Sequence, residues 1–153
     1  LQQLAAQNDA EAQFELAEAY RTGNGVAENL AEAIRWYRAA AEQGHADAQN
    51  NLGAMYLAGL GTEKNAVQAA HWYRKAAEQG HPDSEYRLAV GYATGLGVKQ
   101  NEAEALAWLH KAADHGHKRA QKNLARAHEQ GRLGLTPDPE KAKYWYDKAA
   151  SGS

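Results

Sequence analysis

The sequence contains no cysteine, which excludes disulfide bonds, thiolate zinc sites and cysteine nucleophiles. Large apolar residues are also scarce, since leucine, isoleucine, valine and phenylalanine together make up 20 of the 153 residues. So low a share is typical of disordered chains only when the net charge is high, and here 17 basic residues oppose 19 acidic ones. Alanine supplies 34 residues, beside 4 tryptophans and 8 tyrosines. We therefore expect a folded chain with thin, alanine-lined layers.

Long apolar runs are missing as well. No window approaches 18 consecutive apolar residues, so the sequence predicts no membrane-spanning helix. The net charge of −2 disfavours a dedicated nucleic-acid binder, because such proteins are usually strongly basic. The chain begins at Leu1 without a signal-peptide pattern, and we expect a processed form or an excised piece. Its length predicts a single domain over residues 1–153.

An internal repeat is the main feature of the sequence. Leucine recurs every 36 residues, at Leu16, Leu52, Leu88 and Leu124. Tryptophan follows the same period until a last interval of 37 residues, at Trp36, Trp72, Trp108 and Trp145. The extra residue lies between Gly131 and Gly134. The spacing predicts four units near 11–46, 47–82, 83–118 and 119–153, with residues 1–8 as the end of a preceding repeat or an N-terminal cap helix.

Each unit is predicted to contain two helices. In the first helix Ala12, Leu16 and Tyr20 lie on one face, and Gly23 ends it in a left-handed conformation. The second helix is expected to start at an asparagine or aspartate and to end at a glycine; the start residues are Asn29, Asn65, Asn101 and Asp138, and the end residues are Gly44, Gly80 and Gly116. Capping boxes are expected in units one to three, closed by Glu32, Gln68 and Glu104.

A family resemblance follows from this pattern. Two short helices cannot bury both of their faces, so neighbouring pairs must stack into an α-solenoid. The motif A-x3-L-[AG]-x2-Y-x2-G-x-G followed by A-x2-W-Y-x2-A-A-x2-G, clearest in residues 48–80, resembles the Sel-one-like repeat family, which is related to tetratricopeptide repeats. The resemblance implies an all-α, right-handed α-solenoid of stacked antiparallel helix pairs. Departures occur in unit four, at His128, at Lys143 and in the insertion.

The resemblance also implies a function. Family members are mostly adaptors or scaffolds that share no substrate and no catalytic residue, so we expect a protein–protein interaction scaffold and no enzyme. Relatives are frequent in bacteria and often exported. The resemblance therefore favours a bacterial periplasm or another extracytoplasmic compartment, although the sequence does not determine the compartment.

Candidate partner-binding residues lie on the outer face of each first helix, opposite the buried stripe. The resemblance implies that this face lines a concave groove, as in tetratricopeptide solenoids. The candidates are Glu11, Phe14, Glu18, Asn50, Asn51, Tyr86, Arg87, Val90, Arg119, Lys122, Asn123 and Arg126. Phe14 and Tyr86 are expected to be exposed contact anchors, although Phe14 has the alternative of packing on residues 1–8.

The charge along this face is bipolar. Unit one has 3 basic and 6 acidic residues, whereas unit four has 7 basic and 4 acidic ones. The basic end could receive an acidic segment or a C-terminal carboxylate of a partner protein. The alternative is an ordinary solvated helix face.

Other chemistries find little support. His45, His81 and His117 recur every 36 residues, and a helix-opening position explains them better than a metal site. The Gly-x-Gly pairs follow helices rather than strands, so the dinucleotide fingerprint does not apply. No nucleophile or paired acid–base motif is present, and we expect no cofactor and no metal. A self-assembly module that stacks head to tail remains the second hypothesis, and an enzyme or small-ligand carrier the third.

Overall fold

The fold was analysed in a computed structural model that describes residues 1–152. Within these residues the chain forms nine helices and no strand. They are α1 (Gln2–Ala6), α2 (Ala10–Thr22), α3 (Leu30–Glu42), α4 (Ala46–Ala58), α5 (Ala66–Glu78), α6 (Pro82–Thr94), α7 (Glu102–Asp114), α8 (Lys118–Gln130) and α9 (Pro139–Ser151). The all-α architecture of four stacked helix pairs is confirmed, because α2–α3, α4–α5, α6–α7 and α8–α9 each pack as a pair.

The first helix of each pair has a regular start and end. α2 starts at Asp9, and α4, α6 and α8 start at His45, His81 and His117, whose Nδ1 atoms accept hydrogen bonds from the backbone N–H three residues later. All four helices end at a glycine in the left-handed conformation, as predicted for Gly23. The helix-opening interpretation of the histidine row is therefore confirmed.

The second helix of each pair starts as predicted but differs in two details. The side chain of Asn29 accepts from the backbone N–H of Glu32, and Asn65, Asn101 and Asp138 do the same in their repeats. The backbone N–H of Asn29 is donated to the carbonyl of Tyr20. The carboxylate of Glu32 accepts instead from Arg35 at 3.2 Å. The backbone N–H groups of Asn65 and Asn101 are likewise donated to the carbonyls of Tyr56 and Tyr92. The predicted capping boxes are thus wrong in repeats one to three, because a carbonyl of the preceding helix is the acceptor in each.

The ends of these helices also lie one residue earlier than predicted. α3, α5 and α7 have Gln43, Gln79 and His115 as C-caps, and the predicted glycines follow with positive φ. A glycine is required there because the chain turns back within one residue to begin the next helix. The predicted glycine positions mark the turn, and the helix itself ends just before it.

Apart from the four repeats numbered above, the chain divides into two compact units, called unit 1 (Leu1–Gln79) and unit 2 (from Gly80 onward). The core of unit 1 is built from α2–α5 and contains small residues such as Ala17 and Ala33 packed with Tyr37, Leu52 and Tyr73. Alanine permits close approach of the helices, and the aromatic rings fill the space that remains. In unit 2 the buried apolar residues include Leu88, Ala105, Trp108, Leu124 and Trp145.

Buried glutamines connect successive repeats within each unit. In unit 1, Gln13 donates to the carbonyl of Ala5 and Gln49 donates to that of Ala41, at 3.1 and 3.0 Å. Gln121 makes the same bond to the Ala113 carbonyl in unit 2. The short helix α1 therefore meets α2 as the end of a second helix meets the following repeat. Within residues 1–152, no helix has the length and apolar character needed to cross a membrane.

Unit 2 contains a buried histidine, His128, that is expected to make stability depend on pH. His128 occupies the position of Tyr20 and is buried. Burial, together with the nearby charges of Lys141 and His110, lowers the pKa of His128, and Asp138 opposes this only in part. The unfolded chain then binds a proton at higher pH than the folded chain does. The free energy of unfolding is therefore expected to fall as the pH drops below about 6.5.

We expect His128→Tyr to lose less stability than the wild type on acidification from about pH 7 to about pH 5. Urea unfolding at both pH values measures this difference, and the remaining histidines and carboxylates are common to both proteins. Equal losses in the two proteins would contradict the assignment of this pH dependence to His128.

Candidate partner-binding site

In unit 1, the beginning of the predicted face takes part in the packing of repeat on repeat. The ring of Phe14 stacks on that of His45 with centroids 4.6 Å apart, and it also contacts Tyr37. His45 Nε2 lies 2.8 Å from a carboxylate oxygen of Glu11. Because His45 Nδ1 accepts the backbone N–H of Ala48, Nε2 carries the proton and donates it to Glu11. Phe14 is half-buried against Tyr37 and His45, so the expectation of an exposed contact anchor is wrong.

Glu18 lies at the centre of a hydrogen-bond network in the same unit. Its carboxylate accepts hydrogen bonds from the hydroxyl of Tyr37, from Asn51 at 2.9 Å and from Arg21 at 2.8 Å. Arg21 Nε also donates to the Tyr37 hydroxyl at 3.0 Å. Burial alone would raise the pKa of Glu18, but the three donors and the charge of Arg21 outweigh it and lower that pKa. Glu18 and Asn51 therefore join α2, α3 and α4 to one another.

Asn50, the last candidate in unit 1, is half-buried on α4 and has interactions of its own. Four of the five candidates in this unit thus make defined contacts between or within repeats. Phe14, Glu18 and Asn51 are half-buried, whereas the side chain of Glu11 remains 66% exposed. These residues therefore contribute to the packing of one repeat on the next.

In unit 2, Tyr86 is buried, with 8% of its surface exposed, where an exposed anchor was expected. Its ring stacks on His117 with centroids 4.6 Å apart, and its hydroxyl accepts a hydrogen bond from Asn123 at 3.1 Å. His117 Nε2 faces Asp83 at 3.2 Å. The expectation of exposure is wrong because the following repeat covers the ring, as it covers Phe14 in unit 1.

A cleft of about 690 Å³ opens in unit 2 beside these residues. Its lining combines small apolar side chains, polar side chains and the loop that carries the insertion. The lining residues are Ala89, Val90, Ala93, Thr94, Gln100, Glu102, Ala105, Leu109, Asn123, Arg126, Ala127, Gly131, Arg132, Leu133 and Gly134. The volume lies in the range of pockets that bind ligands.

The cleft exists because the positions whose side chains fill the corresponding space in unit 1 carry shorter side chains in unit 2. With the 36-residue period, Val90, Ala93 and Leu109 stand where unit 1 has Glu18, Arg21 and Tyr37. Ala127 stands where unit 1 has Met55. The network that closes unit 1 is absent from unit 2, and only the counterpart of Asn51 remains, as Asn123.

The charges around the cleft are unevenly distributed. Arg126 and Arg132 line it, and neither forms a salt bridge within the described part of the chain. Glu102 lies on the lining from α7. Arg119 and Lys122 are exposed on α8 and share a helical face with Arg126. Arg87 is held near Asp83, with Nε 3.9 Å from a carboxylate oxygen.

The structure thus brings Val90, Asn123 and Arg126 together on one cleft, while Arg119 and Lys122 lie along α8 outside it. Sequence reasoning missed several lining residues, among them Ala93, Glu102, Leu109, Arg132 and Leu133. Two signals could have found them. One is the insertion in repeat four. The other is the loss of large side chains in repeat three, where Ala93 and Leu109 stand in place of Arg21 and Tyr37 of repeat one.

No group of three or more histidines, cysteines and acidic residues within residues 1–152 is placed to hold a metal ion. His45 and His117 each cap a helix through Nδ1 and face a carboxylate through Nε2. Both ring nitrogens are therefore occupied by interactions within the protein.

Comparison with known proteins identifies the repeat. The family described as Sel1 repeat matches four times, over residues 10–45, 46–81, 82–117 and 118–153. These limits begin one residue before the predicted units. A comparison with curated proteins gives no significant match.

Solved structures give the same answer. The Sel1 repeat protein of Oxalobacter formigenes is 38% identical with a TM-score of 0.91, and the match covers 97% of this chain and 61% of that one. The antigen c5321 of uropathogenic Escherichia coli, described as displaying an SLR fold, is 39% identical with a TM-score of 0.93 over 98% of this chain and 32% of that one. Cysteine rich protein B of Helicobacter pylori is 26% identical with a TM-score of 0.62, over 77% of this chain and 90% of that one.

The chain therefore spans less than two thirds of the length of the first two relatives. The four matched repeats cover almost all of this chain. The chain belongs to the Sel1 repeat family, a family of generally non-catalytic helical scaffolds with bacterial members.

Proposed function

We propose that this scaffold binds a segment of a partner protein at the cleft of unit 2 and carries out no catalysis itself. The observation that carries the proposal is the 690 Å³ cleft lined by Val90, Asn123 and Arg126, three residues of the outer face on which a binding surface was predicted. The two arginines on its lining favour a partner that presents carboxylates, either an acidic segment or a C-terminus.

The contrast between the units supports the location. Unit 1 uses Glu11, Phe14 and Glu18 of the same face for contacts between its own repeats. Within the described part of unit 2, neither Arg126 nor Arg132 at the cleft forms a salt bridge with the protein itself. Arginine beside an apolar depression is a frequent composition of protein interfaces.

Self-association is the second candidate function. Tyr144 on α9 is 54% exposed, with the ammonium of Lys148 5.4 Å from its ring centre. This exposed aromatic ring offers a surface on which another copy of the chain could stack. Sedimentation velocity over a hundredfold range of concentration tests this idea. A constant sedimentation coefficient, equal in wild type and Tyr144→Ala, would reject it.

Charge reversal on α8 tests the proposed site. We expect Lys122→Glu/Arg126→Glu to reduce capture of the partner from a lysate of the source organism by about tenfold or more. Carboxylates of the partner that face Lys122 and Arg126 in the wild type would face glutamate carboxylates in the variant and be repelled. The captured protein is identified by mass spectrometry. The matched control is Lys64→Glu/Lys75→Glu, which makes the same change of net charge on exposed positions of unit 1.

Far-UV circular dichroism must show equal helicity in the three proteins. Undiminished capture by the α8 variant would place recognition on another surface. Equal loss in both variants would indicate a non-specific effect of net charge and would also reject this site.

A further inference from the structure

We propose that the apolar part of the unit 2 cleft is a specificity pocket for one aliphatic side chain of an extended acidic segment, whose carboxylates lie along α8 on Arg126, Lys122 and Arg119. The inference rests on the proposed function and deepens it, since it names the chemistry of the partner. The two units then differ in function, because in unit 1 the side chains of Glu18, Arg21 and Tyr37 fill the corresponding space.

The aliphatic preference comes from the apolar part of the lining. Ala89, Val90, Ala93, Ala105, Leu109 and Ala127 present methyl groups and offer no hydrogen-bonding side chain. A polar side chain packed against these residues would lose water without gaining a partner from them, whereas a leucine-sized side chain would gain from leaving water. Unit 1 shows what fills this space when no ligand is needed, namely the polar network of Glu18, Arg21 and Tyr37.

The acidic preference comes from the spacing of cations on α8. Arg119, Lys122 and Arg126 stand at i, i+3 and i+7, which spreads them over about 10 Å of one helical face. One terminal carboxylate cannot reach all three. An extended chain places alternate side chains about 7 Å apart, so two or more acidic residues beside the aliphatic one match the row.

The opposite lining fixes which way the acidic run lies. Glu102 stands at the start of α7, and its carboxylate repels acidic side chains placed over that helix. Arg132, in the inserted loop, adds a second cation on the lining beside Arg126. The acidic run therefore extends from the cleft along α8.

The probe is a pair of synthetic peptides with both ends blocked, acetyl-Gly-Gly-Leu-Asp-Glu-Asp-Glu-Gly-Gly-amide and its counterpart with leucine after the acidic run. Binding to the full chain is measured by isothermal titration calorimetry at low salt. For the stronger peptide, replacement of leucine by alanine is expected to weaken binding by about tenfold. Replacement of the four acidic residues by their amides is expected to weaken it by at least that factor and to reduce the dependence of affinity on salt.

Two protein variants test the pocket itself. Val90→Glu/Ala93→Arg/Leu109→Tyr introduces the unit 1 network, for which Asn123 already supplies the fourth member. Ala93→Leu/Ala127→Met fills the apolar part of the cleft with the residues found at Leu57 and Met55, and serves if the triple variant fails to fold. In a filled protein the leucine and alanine peptides are expected to bind alike, while the acidic residues keep their effect.

Equal binding of the leucine and alanine peptides to the wild type would overturn the pocket. Stronger binding of a glycine peptide that ends in a single free leucine carboxylate would overturn the acidic run in favour of a chain terminus. Either result leaves the proposed function standing if the Lys122→Glu/Arg126→Glu variant still loses its captured partner. If that variant captures normally, the proposed function has failed as well.

Discussion

Replacing Gly61 by alanine is expected to destabilise the chain by roughly 2–5 kcal/mol, because two costs combine at this position. The φ angle of Gly61 is +73°, in a region that costs an L-residue about 1–2 kcal/mol. A Cβ atom would also lie 2.4 Å from the carbonyl oxygen of Leu30, which begins α3 in the preceding repeat. Either the loop or the start of α3 must move, and overpacking of this kind costs about 1–3 kcal/mol.

Gly25 is the matched control for this change. Its φ angle is +80°, and a Cβ atom there would meet nothing within 4 Å. Gly25→Ala therefore carries the backbone cost alone, about 1–2 kcal/mol. Denaturant unfolding of both variants measures the difference. Equal destabilisation would show that the close approach to Leu30 is relaxed at no cost.

Replacing Leu52 by alanine is expected to destabilise the chain by about 2–5 kcal/mol. Leu52 is 0% exposed and belongs to the core cluster of unit 1 with Ala17, Tyr37 and Tyr73. The lost side chain leaves a cavity, and its neighbours are held by helix packing on both sides. Since small domains are stable by about 5–15 kcal/mol, the change removes a large share of the total.

Leu60→Ala makes the same chemical change at a position that is 45% exposed. We expect a cost of at most about 0.5 kcal/mol there, because little apolar surface returns to water. Thermal unfolding followed at 222 nm, with urea unfolding for the free energies, compares the two variants. A small effect of Leu52→Ala would mean that the repeats can repack around a missing leucine.

The repeat and its helices were predictable because each depends on local chemistry repeated four times. Asparagine or aspartate before Leu30, Ala66, Glu102 and Pro139 supplies an N-cap whatever lies nearby. Glycine at Gly23 ends a helix because it alone adopts positive φ without strain. Period and capping together predicted the stacked helix pairs.

The contacts of the candidate site were less predictable. Tyr86 lies on the outer face of its own helix, and only the arrival of His117 from the next repeat buries it. Glu18 is a charged residue on the predicted binding face, yet its carboxylate accepts hydrogen bonds from Tyr37 and Asn51. A helical face computed from one helix contains no information about what the following helix brings to it.

The sequence by itself determined the number of repeats, the positions of the helices and the basic character of repeat four, because periodicity, capping and charge are properties of short segments. Tertiary structure decided where space is left. Val90, Ala93, Leu109 and Ala127 are unremarkable in sequence and far apart along the chain. They form a cleft because packing places four shortened side chains around one point, and whether that point is filled depends on the volumes of all of them at once.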